Sequence, residues 1–359
     1  MKILFGVFDW GLGHATRDLP LITSLLKRGH KVDILSTGRA LILLKNNLGN
    51  KCKFYDVPSL YVPYPKHRFF VMNFILSIPK MLKSLKYARK KSKEIINSNG
   101  YDVVISDCRY DLYDRKDNSY LINHQLRFKA LPVVQQIAEL WLFMKFKNYK
   151  YIIVPDYEIK SMSGKLSHNL NFISKQKIKY IGILSQLKKK NVKKDIDYFI
   201  TLSGPEPQRS ILQKILLSQV SNLKGKVIIT LGLPGNKEKI IKNEKNLKIY
   251  SFLNSREQEL MMSRSKVVIS RSGYTTMMDF AELDKKSALL IPTPGQTEQE
   301  YLCDYYENEG YFHHVHQNKL NLKDDIKKIK YFKGFNSNWK TEKSVRTFIN
   351  LIEERNTND

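Results

Sequence analysis

Short apolar runs alternate with longer stretches of helical period along most of this chain. Lys2-Ile3-Leu4-Phe5-Gly6-Val7-Phe8 has the length and composition of a strand buried on both faces. Beyond a glycine-containing loop, Leu19, Ile22, Leu25 and Leu26 recur at helical spacing, which predicts a helix from Ala15 to Arg28 with one apolar face. Gly29-His30 ends that helix, and Val32 to Ser36 reads as the next strand. The strand signal returns at 102–106, 119–125, 151–156, 198–202, 247–251, 266–269 and 288–291. Strands separated by helical segments imply parallel βαβ units, so the predicted class is α/β.

Two loop regions carry chemistry. Gly11-Leu12-Gly13-His14 joins the first strand to the first helix. It departs from G-x-G-x-x-G, because Thr16 stands where the third glycine belongs and a histidine holds the tip. The second region runs Ser270-Arg271-Ser272-Gly273-Tyr274-Thr275-Thr276, on through Asp279, to Pro292-Thr293-Pro294-Gly295-Gln296-Thr297-Glu298-Gln299-Glu300. Two neighbouring strands thus release small and polar residues at their carboxyl ends, where open α/β sheets bind ligands. The N–H groups of a glycine turn at a helix N-terminus suit a diphosphate. Asp279, one turn into that helix, suits a ribose diol.

In this order and spacing the motifs resemble those of the GT-B glycosyltransferases. The nearest subset is the family that includes the bacterial N-acetylglucosaminyltransferase of lipid II synthesis and the UDP-glucuronosyltransferase-like enzymes. In motif detail the resemblance covers residues 3–30 and roughly 250–305. It implies two Rossmann-like parallel-sheet domains facing a central cleft: an acceptor domain over 1–185 and a nucleotide-sugar domain over 186–335. The segment 336–359 would then form a C-terminal helix, from about Asn338 to Arg355, that packs back on the first domain. The lysine-rich stretch 179–194 reads as the linker.

Inverting sugar transfer needs a base for the acceptor hydroxyl and stabilisation of the departing diphosphate. His14 ends the first strand's loop and titrates in the right range for that base. Asp107, at the end of strand 102–106, is placed to orient the imidazole, as carboxylates do in His–Asp pairs. The plainer readings are a histidine that only braces its loop and an aspartate that caps a helix. His124 and Gln125 end the next strand and, with Gly11 and Gly13, make up the expected acceptor side. On the donor side the resemblance places Ser203, Gly204, Ser272, Gly273 and Thr275 at the diphosphate. It places the backbone of Phe252 and Leu253 at the base, Asp279 at the ribose, and Gln296, Gln299 and Glu300 at the sugar hydroxyls. Pro205-Glu206-Pro207 departs from the family's small flexible residues; a carboxylate there is expected to point away from a diphosphate, with Arg209 compensating. Asp279 is a methylene shorter than the family's usual Glu. Arg271 is expected to pair within its domain.

Composition narrows the partners. A chain of 359 residues, 42% hydrophobic, supports two cored domains. Cys52, Cys108 and Cys303 lack C-x-x-C spacing, which suggests a reducing compartment and no structural zinc. The N-terminal apolar run is broken by Asp9 and reads as a strand rather than a signal peptide. No apolar run of about 18 residues predicts a transmembrane helix, so a cytoplasmic protein is expected.

Net charge is +27, with 47 of 61 basic residues lysine, which attracts polyanions. No nucleic-acid module accompanies it. Residues 64–93 concentrate nine Lys and Arg and no acid around an apolar centre. That pattern fits an interfacial helix pair on the inner face of an anionic membrane, or two core helices with basic outer faces. Asp195-Ile196-Asp197 spells D-x-D but precedes a strand, and His313-His314-Val315-His316 divides between two strand faces. Neither is assigned a metal, and no cofactor is expected.

The resulting reading is an inverting, metal-independent glycosyltransferase. It would move sugar from a nucleotide-sugar donor, a UDP-sugar first, to a glycan or lipid-linked acceptor of the cell envelope. A nucleotide-sugar 2-epimerase of the same fold and a non-catalytic, membrane-associated binding protein are the alternatives.

Overall fold

A computed structural model describes the chain apart from residues 62–69, 115–116, 128–131, 169, 171, 234–237, 337–339 and 355–359, and the side chains of 70–75 and 132–134. The described residues fall into two compact units, 1–184 with 341–359, and 185–340.

In the first unit the strands are β1 (Lys2–Val7), β2 (Lys31–Ser36), β3 (Phe54–Asp56), β4 (Val103–Asp107), β5 (Ser119–Ile122), β6 (Tyr151–Val154) and β7 (Ile178–Tyr180). All pair in parallel, in the order β3-β2-β1-β4-β5-β6-β7. Ile3, Leu4, Phe5 and Val7 are fully buried because helices cover both faces of such a sheet. Helices α1 (Gly13–Lys27), α2 (Gly38–Leu48), α3 (Phe70–Asn99) and α4 (Pro132–Phe146) join the strands. α1 buries Leu19, Ile22 and Leu25, the predicted face, with Leu26 at its margin.

Two sequence expectations change here. The helix pair expected at 64–93 is one continuous helix from Phe70 onward with Pro79 inside it; positions 64–69 lie outside the described residues. The expected linker at 179–194 begins inside β7, because Ile178–Tyr180 pairs with β6 and supplies a buried edge residue, Ile178. A lysine between two apolar positions hides a short edge strand from a composition argument.

The second unit holds β8 (Ile196–Thr201), β9 (Val227–Thr230), β10 (Ile240–Asn243), β11 (Leu247–Tyr250), β12 (Ser265–Ser270), β13 (Ala288–Leu290) and β14 (His313–His314). Their order is β10-β11-β9-β8-β12-β13-β14, parallel except for β10 against β11. Helices α5 (Gln208–Gln219), α6 (Ser255–Arg264), α7 (Tyr274–Glu282), α8 (Thr297–Asn308) and α9 (Leu322–Lys328) connect them. The C-terminal α10 (Thr341–Glu353) returns to the first unit, burying Phe348, Ile349 and Ile352. Arg28, at the end of α1, grips Glu353 through two hydrogen bonds of 2.6 Å, and His30 adds one of 2.9 Å.

Each sheet has one place where the chain's winding direction reverses. In the first it lies between β1 and β4, where Val7 faces Asp107 in register. In the second it lies between β8 and β12, where Thr201 faces Ser270. Loops leaving adjacent strands at such a point run apart and open a crevice at the strands' carboxyl ends.

Candidate active site

The switch point of the first sheet holds a buried polar cluster. β1 delivers its loop to the N-terminus of α1, and His14 occupies the second position of that helix. β4 ends on Asp107, whose side chain is fully buried. The Nδ1 of His14 lies 2.7 Å from Asp107 Oδ2. Phe8 meets the His14 ring edge-on at 5.3 Å, which shields it from water. After Asp107 the backbone turns through Cys108 in a left-handed conformation, φ 53°. Arg109 then fastens the loop, donating to both carboxylate oxygens of Asp111 and to the carbonyls of Val57 and Pro58.

A third residue completes the cluster, and sequence reading missed it. Arg17, 1% exposed, donates through Nη2 to Asp107 Oδ1 and through Nη1 to His124 Nδ1 at 2.9 Å. Its Nη2 also lies 3.0 Å from His14 Nδ1. The signal was present: Arg17 follows His14 by three positions, and such positions share a helix face. His124 therefore joins the same cluster, with its ring 6.0 Å from that of His14. Gln125 is partly exposed, its N–H accepted by Asn123 Oδ1. Gly11, exposed at φ 86°, lets the preceding loop turn, and Gly13 opens α1.

Charge is sharply divided among these groups. Burial alone would raise the Asp107 carboxyl, but Arg17 and then His14 outweigh it and hold it well below the usual carboxylate range. Burial lowers His14 below the usual value; Asp107 opposes this, and the Arg17 charge reinforces it. Asp18, also buried, is pushed toward its neutral form, by burial first and the Asp107 charge second. Burial likewise keeps Cys108 a thiol. Donor atoms of His14, Asp107 and Cys108 lie within 4.8 Å of one another, as metal ligands would. The Arg17 guanidinium already supplies the positive charge there, so a metal ion would meet like charge against Asp107.

The second unit gathers its candidate residues at its own switch point. Ser203 and Gly204 are exposed just beyond β8, and Gly204 takes φ 105°. A side chain at Gly204 would meet Thr293 Oγ1 at 3.5 Å, which brings the loops after β8 and β13 together. That Thr293 hydroxyl is buried without a hydrogen-bond partner among the described residues. Ser272, buried after β12, donates to the Gln299 carbonyl at 3.0 Å. Gln299 Oε1 accepts from the Thr293 N–H at 2.9 Å, its Nε2 donates to Gln296, and Glu300 accepts from the Gly295 N–H. The first turn of α8 thus shapes the 293–296 loop. Gly273 caps α7 with no side chain, leaving the first-turn N–H groups around Thr275 uncapped by it. Phe252 is partly exposed, whereas the Leu253 side chain is buried and its carbonyl accepts from Gln258 at 3.0 Å.

Asp279 is partly buried, accepts a 2.5 Å hydrogen bond from Ser185, and is raised to about 7 by burial. Glu206 pairs with Arg209, whose Nε donates to it at 2.6 Å. Arg271, 1% exposed, ties the carbonyls of Ile291, Pro292 and Gln208 to Gln317 Oε1. Asp195 pairs with Arg264 and Asp197 with Lys266. His313 and His314 do not divide as strand alternation suggested. Both reach Glu307, because β14 is only a two-residue edge strand beside α8.

Comparison with known proteins agrees with this organisation. Residues 1–135 match Glycosyl transferase family 1, and residues 203–354 match the Glycosyltransferase family 28 C-terminal domain. The chain is a GT-B glycosyltransferase. An uncharacterized glycosyltransferase of Methanosarcina mazei is 26% identical over 330 residues, 87% of this chain and 84% of that protein. Two solved structures share the fold at low identity. The spinosyn rhamnosyltransferase SpnG, complexed with thymidine diphosphate, has a TM-score of 0.61 at 12% identity, covering 99% of this chain and 96% of that one. Acinetobacter baumannii MurG has a TM-score of 0.54 at 13% identity, covering 99% and 97%. Both matched families are glycosyltransferases, which favours glycosyl transfer over 2-epimerisation and over a non-catalytic binder. No described helix of this glycosyltransferase is long and apolar enough to cross a membrane.

Proposed function

We propose that this glycosyltransferase inverts a sugar centre while moving it from a nucleotide-sugar donor, first a UDP-hexose, to a glycan or lipid-linked cell-envelope acceptor. The hydrogen bond of 2.7 Å between His14 and Asp107 carries the reading. Nδ1 of His14 donates to the carboxylate, which leaves the Nε2 lone pair to take the acceptor's hydroxyl proton. The freed oxygen forms a bond to the anomeric carbon as the carbon–phosphate-oxygen bond breaks, and the diphosphate leaves with that electron pair. The uncapped start of α7 and the loop at Ser203-Gly204 are suited to hold that charge by N–H groups and helix dipole, without calling on a metal. Asp279 is assigned the ribose and Gln296, Gln299 and Glu300 the donor sugar. The unpartnered Thr293 hydroxyl supports a polar ligand between those loops.

Calorimetric titration with UDP-, GDP-, dTDP- and CMP-sugars, with and without a divalent metal, tests the donor assignment. Binding of one nucleotide class, weakened in Asp279→Ala and Gln299→Ala, is expected. A folded protein that binds none of them would sink it.

Peripheral membrane association belongs to the same proposal. On α3, Leu76, Ile78 and Leu82 are exposed among exposed Lys80, Lys83 and Lys86. On α4, Ile137, Leu140 and Met144 form an exposed stripe at helical spacing. The apolar positions of α3, set among exposed lysines, suit an anionic lipid surface, where a lipid-linked acceptor would be held.

A further inference from the structure

Two histidines in the cluster meet partners of opposite character. His14 Nδ1 faces a carboxylate oxygen of Asp107 at 2.7 Å, and an ionised carboxylate can only accept. His124 Nδ1 faces Arg17 Nη1 at 2.9 Å, and a guanidinium can only donate. The same guanidinium holds the other Asp107 oxygen. Its 3.0 Å approach to His14 Nδ1 is a contact between two donors, not a hydrogen bond.

We propose that Arg17 is a positioning residue that fixes opposite tautomers in the two rings, placing the proton on Nδ1 of His14 and on Nε2 of His124. His14 then offers a basic Nε2, while the Nε2 of His124 carries a proton. The assignment of the two tautomers does not depend on the reading of His14 as base.

The surroundings of His14 are consistent with this. The groups facing it are Asp107 and Cys108 from the end of β4, Arg17 from α1, His124 beyond β5, and the edge of Phe8 beyond β1, while Asp18 of α1 lies against Asp107 and Arg17. Burial pushes Asp18 toward its neutral form and raises the Cys108 thiol well above its ordinary value. Arg17 and Asp107 are therefore the charges that matter, and they oppose each other at Nδ1. Arg17 keeps Asp107 ionised while disfavouring a second positive charge on His14.

Nitrogen NMR of the full chain carrying ¹⁵N-histidine reads the tautomers directly, with His14→Gln and His124→Gln assigning the two rings. The wild type is expected to show a protonated Nδ1 on His14 and a protonated Nε2 on His124 near neutral pH. In Arg17→Met, His124 should become a tautomer mixture and the His14 titration should rise by on the order of one pH unit. Arg17→Lys, which keeps the charge but not the fork, should restore the titration and not the His124 tautomer. A wild-type His124 protonated on Nδ1 would overturn the proposal even if Arg17→Met failed to fold. So would unchanged shifts and titration in a folded Arg17→Met. Turnover by His14→Gln separately tests the base: retained turnover would sink that reading and leave the tautomer assignment standing.

Discussion

The hydroxyl of Ser185 donates a 2.5 Å hydrogen bond to Oδ1 of Asp279, a residue 94 positions further along the chain. Leu187 N–H donates in turn to the Ser185 oxygen at 3.0 Å. The carboxylate assigned to the ribose already holds a hydroxyl, as a sugar diol would be held. Burial raises Asp279 to about 7, so the folded state binds a proton that the unfolded chain has lost above its ordinary value of 3.8. This group's contribution is therefore most favourable at low pH and is lost as pH rises through about 7. Asp279→Asn, which still accepts from Ser185, should be more stable than the wild type at pH 8, by about 1–3 kcal/mol, and nearly equal at pH 4. Urea unfolding at the two pH values checks this. An equal difference at both would refute the buried-carboxyl account.

Removal of the proposed base should separate chemistry from folding. His14→Gln is expected to lower turnover by about 10²–10⁴-fold while leaving the donor's affinity within about twofold. Initial rates and a calorimetric isotherm on the same preparation provide the check.

The lowered His14 value also has a pH consequence. The unfolded ring binds a proton below 6.5, whereas the folded ring resists it until lower pH. Its stabilising contribution is full above 6.5 and declines as pH falls toward the folded value. Turnover should persist below pH 6.5 for the same reason. A rate profile whose acid limb lies above 6.5 would contradict the burial of this ring.

Arg271 is a structural test within the second unit. Its side chain holds three backbone carbonyls and Gln317 in a buried setting, so Arg271→Met leaves all of them without their donor. A loss of about 2–4 kcal/mol is expected by urea unfolding. A loss below half a kilocalorie would mean that water replaces the guanidinium.

The proposed lipid surface is tested by placing acidic side chains at its exposed apolar positions. Leu76→Glu with Leu82→Glu should reduce co-sedimentation with phosphatidylglycerol-containing vesicles on the order of tenfold, and added salt should weaken the wild type. Both positions are exposed, so the thermal midpoint should hardly move. Unaltered sedimentation would remove α3 from the membrane proposal.

Much of the layering was legible because hydrophobic period is a local property. β1, β4, β8 and β12 fall within a residue or two of the runs that predicted them. β7 was not legible as a sheet member, since an edge strand of three residues draws its stability from a neighbour rather than from its own composition, whereas the two-residue β14 falls within the strand read at 313–316. Arg209 and Arg271 were foreseen as pairing within their unit, and their partners lie there. One helix over 70–99 stands where a pair of helices was expected within 64–93.

The sequence by itself determined the alternation of strand and helix, the two glycine-bearing loops and the residue types available to them, because turn chemistry and amphipathic period act over a few residues. It could link His14 to Asp107 only through their places at the ends of two strands and through resemblance, since the two stand 93 residues apart. Sheet order decided their meeting, by setting β1 beside β4 in a register that puts Val7 opposite Asp107. Tertiary structure alone decided that Arg17 turns into that crevice, that Asp107 is pushed toward its ionised form and Asp18 toward its neutral one, and that Asp279 already holds a hydroxyl. Protonation and hydrogen-bond direction depend on burial and on the nearest charge, and both come from chain segments far away in sequence.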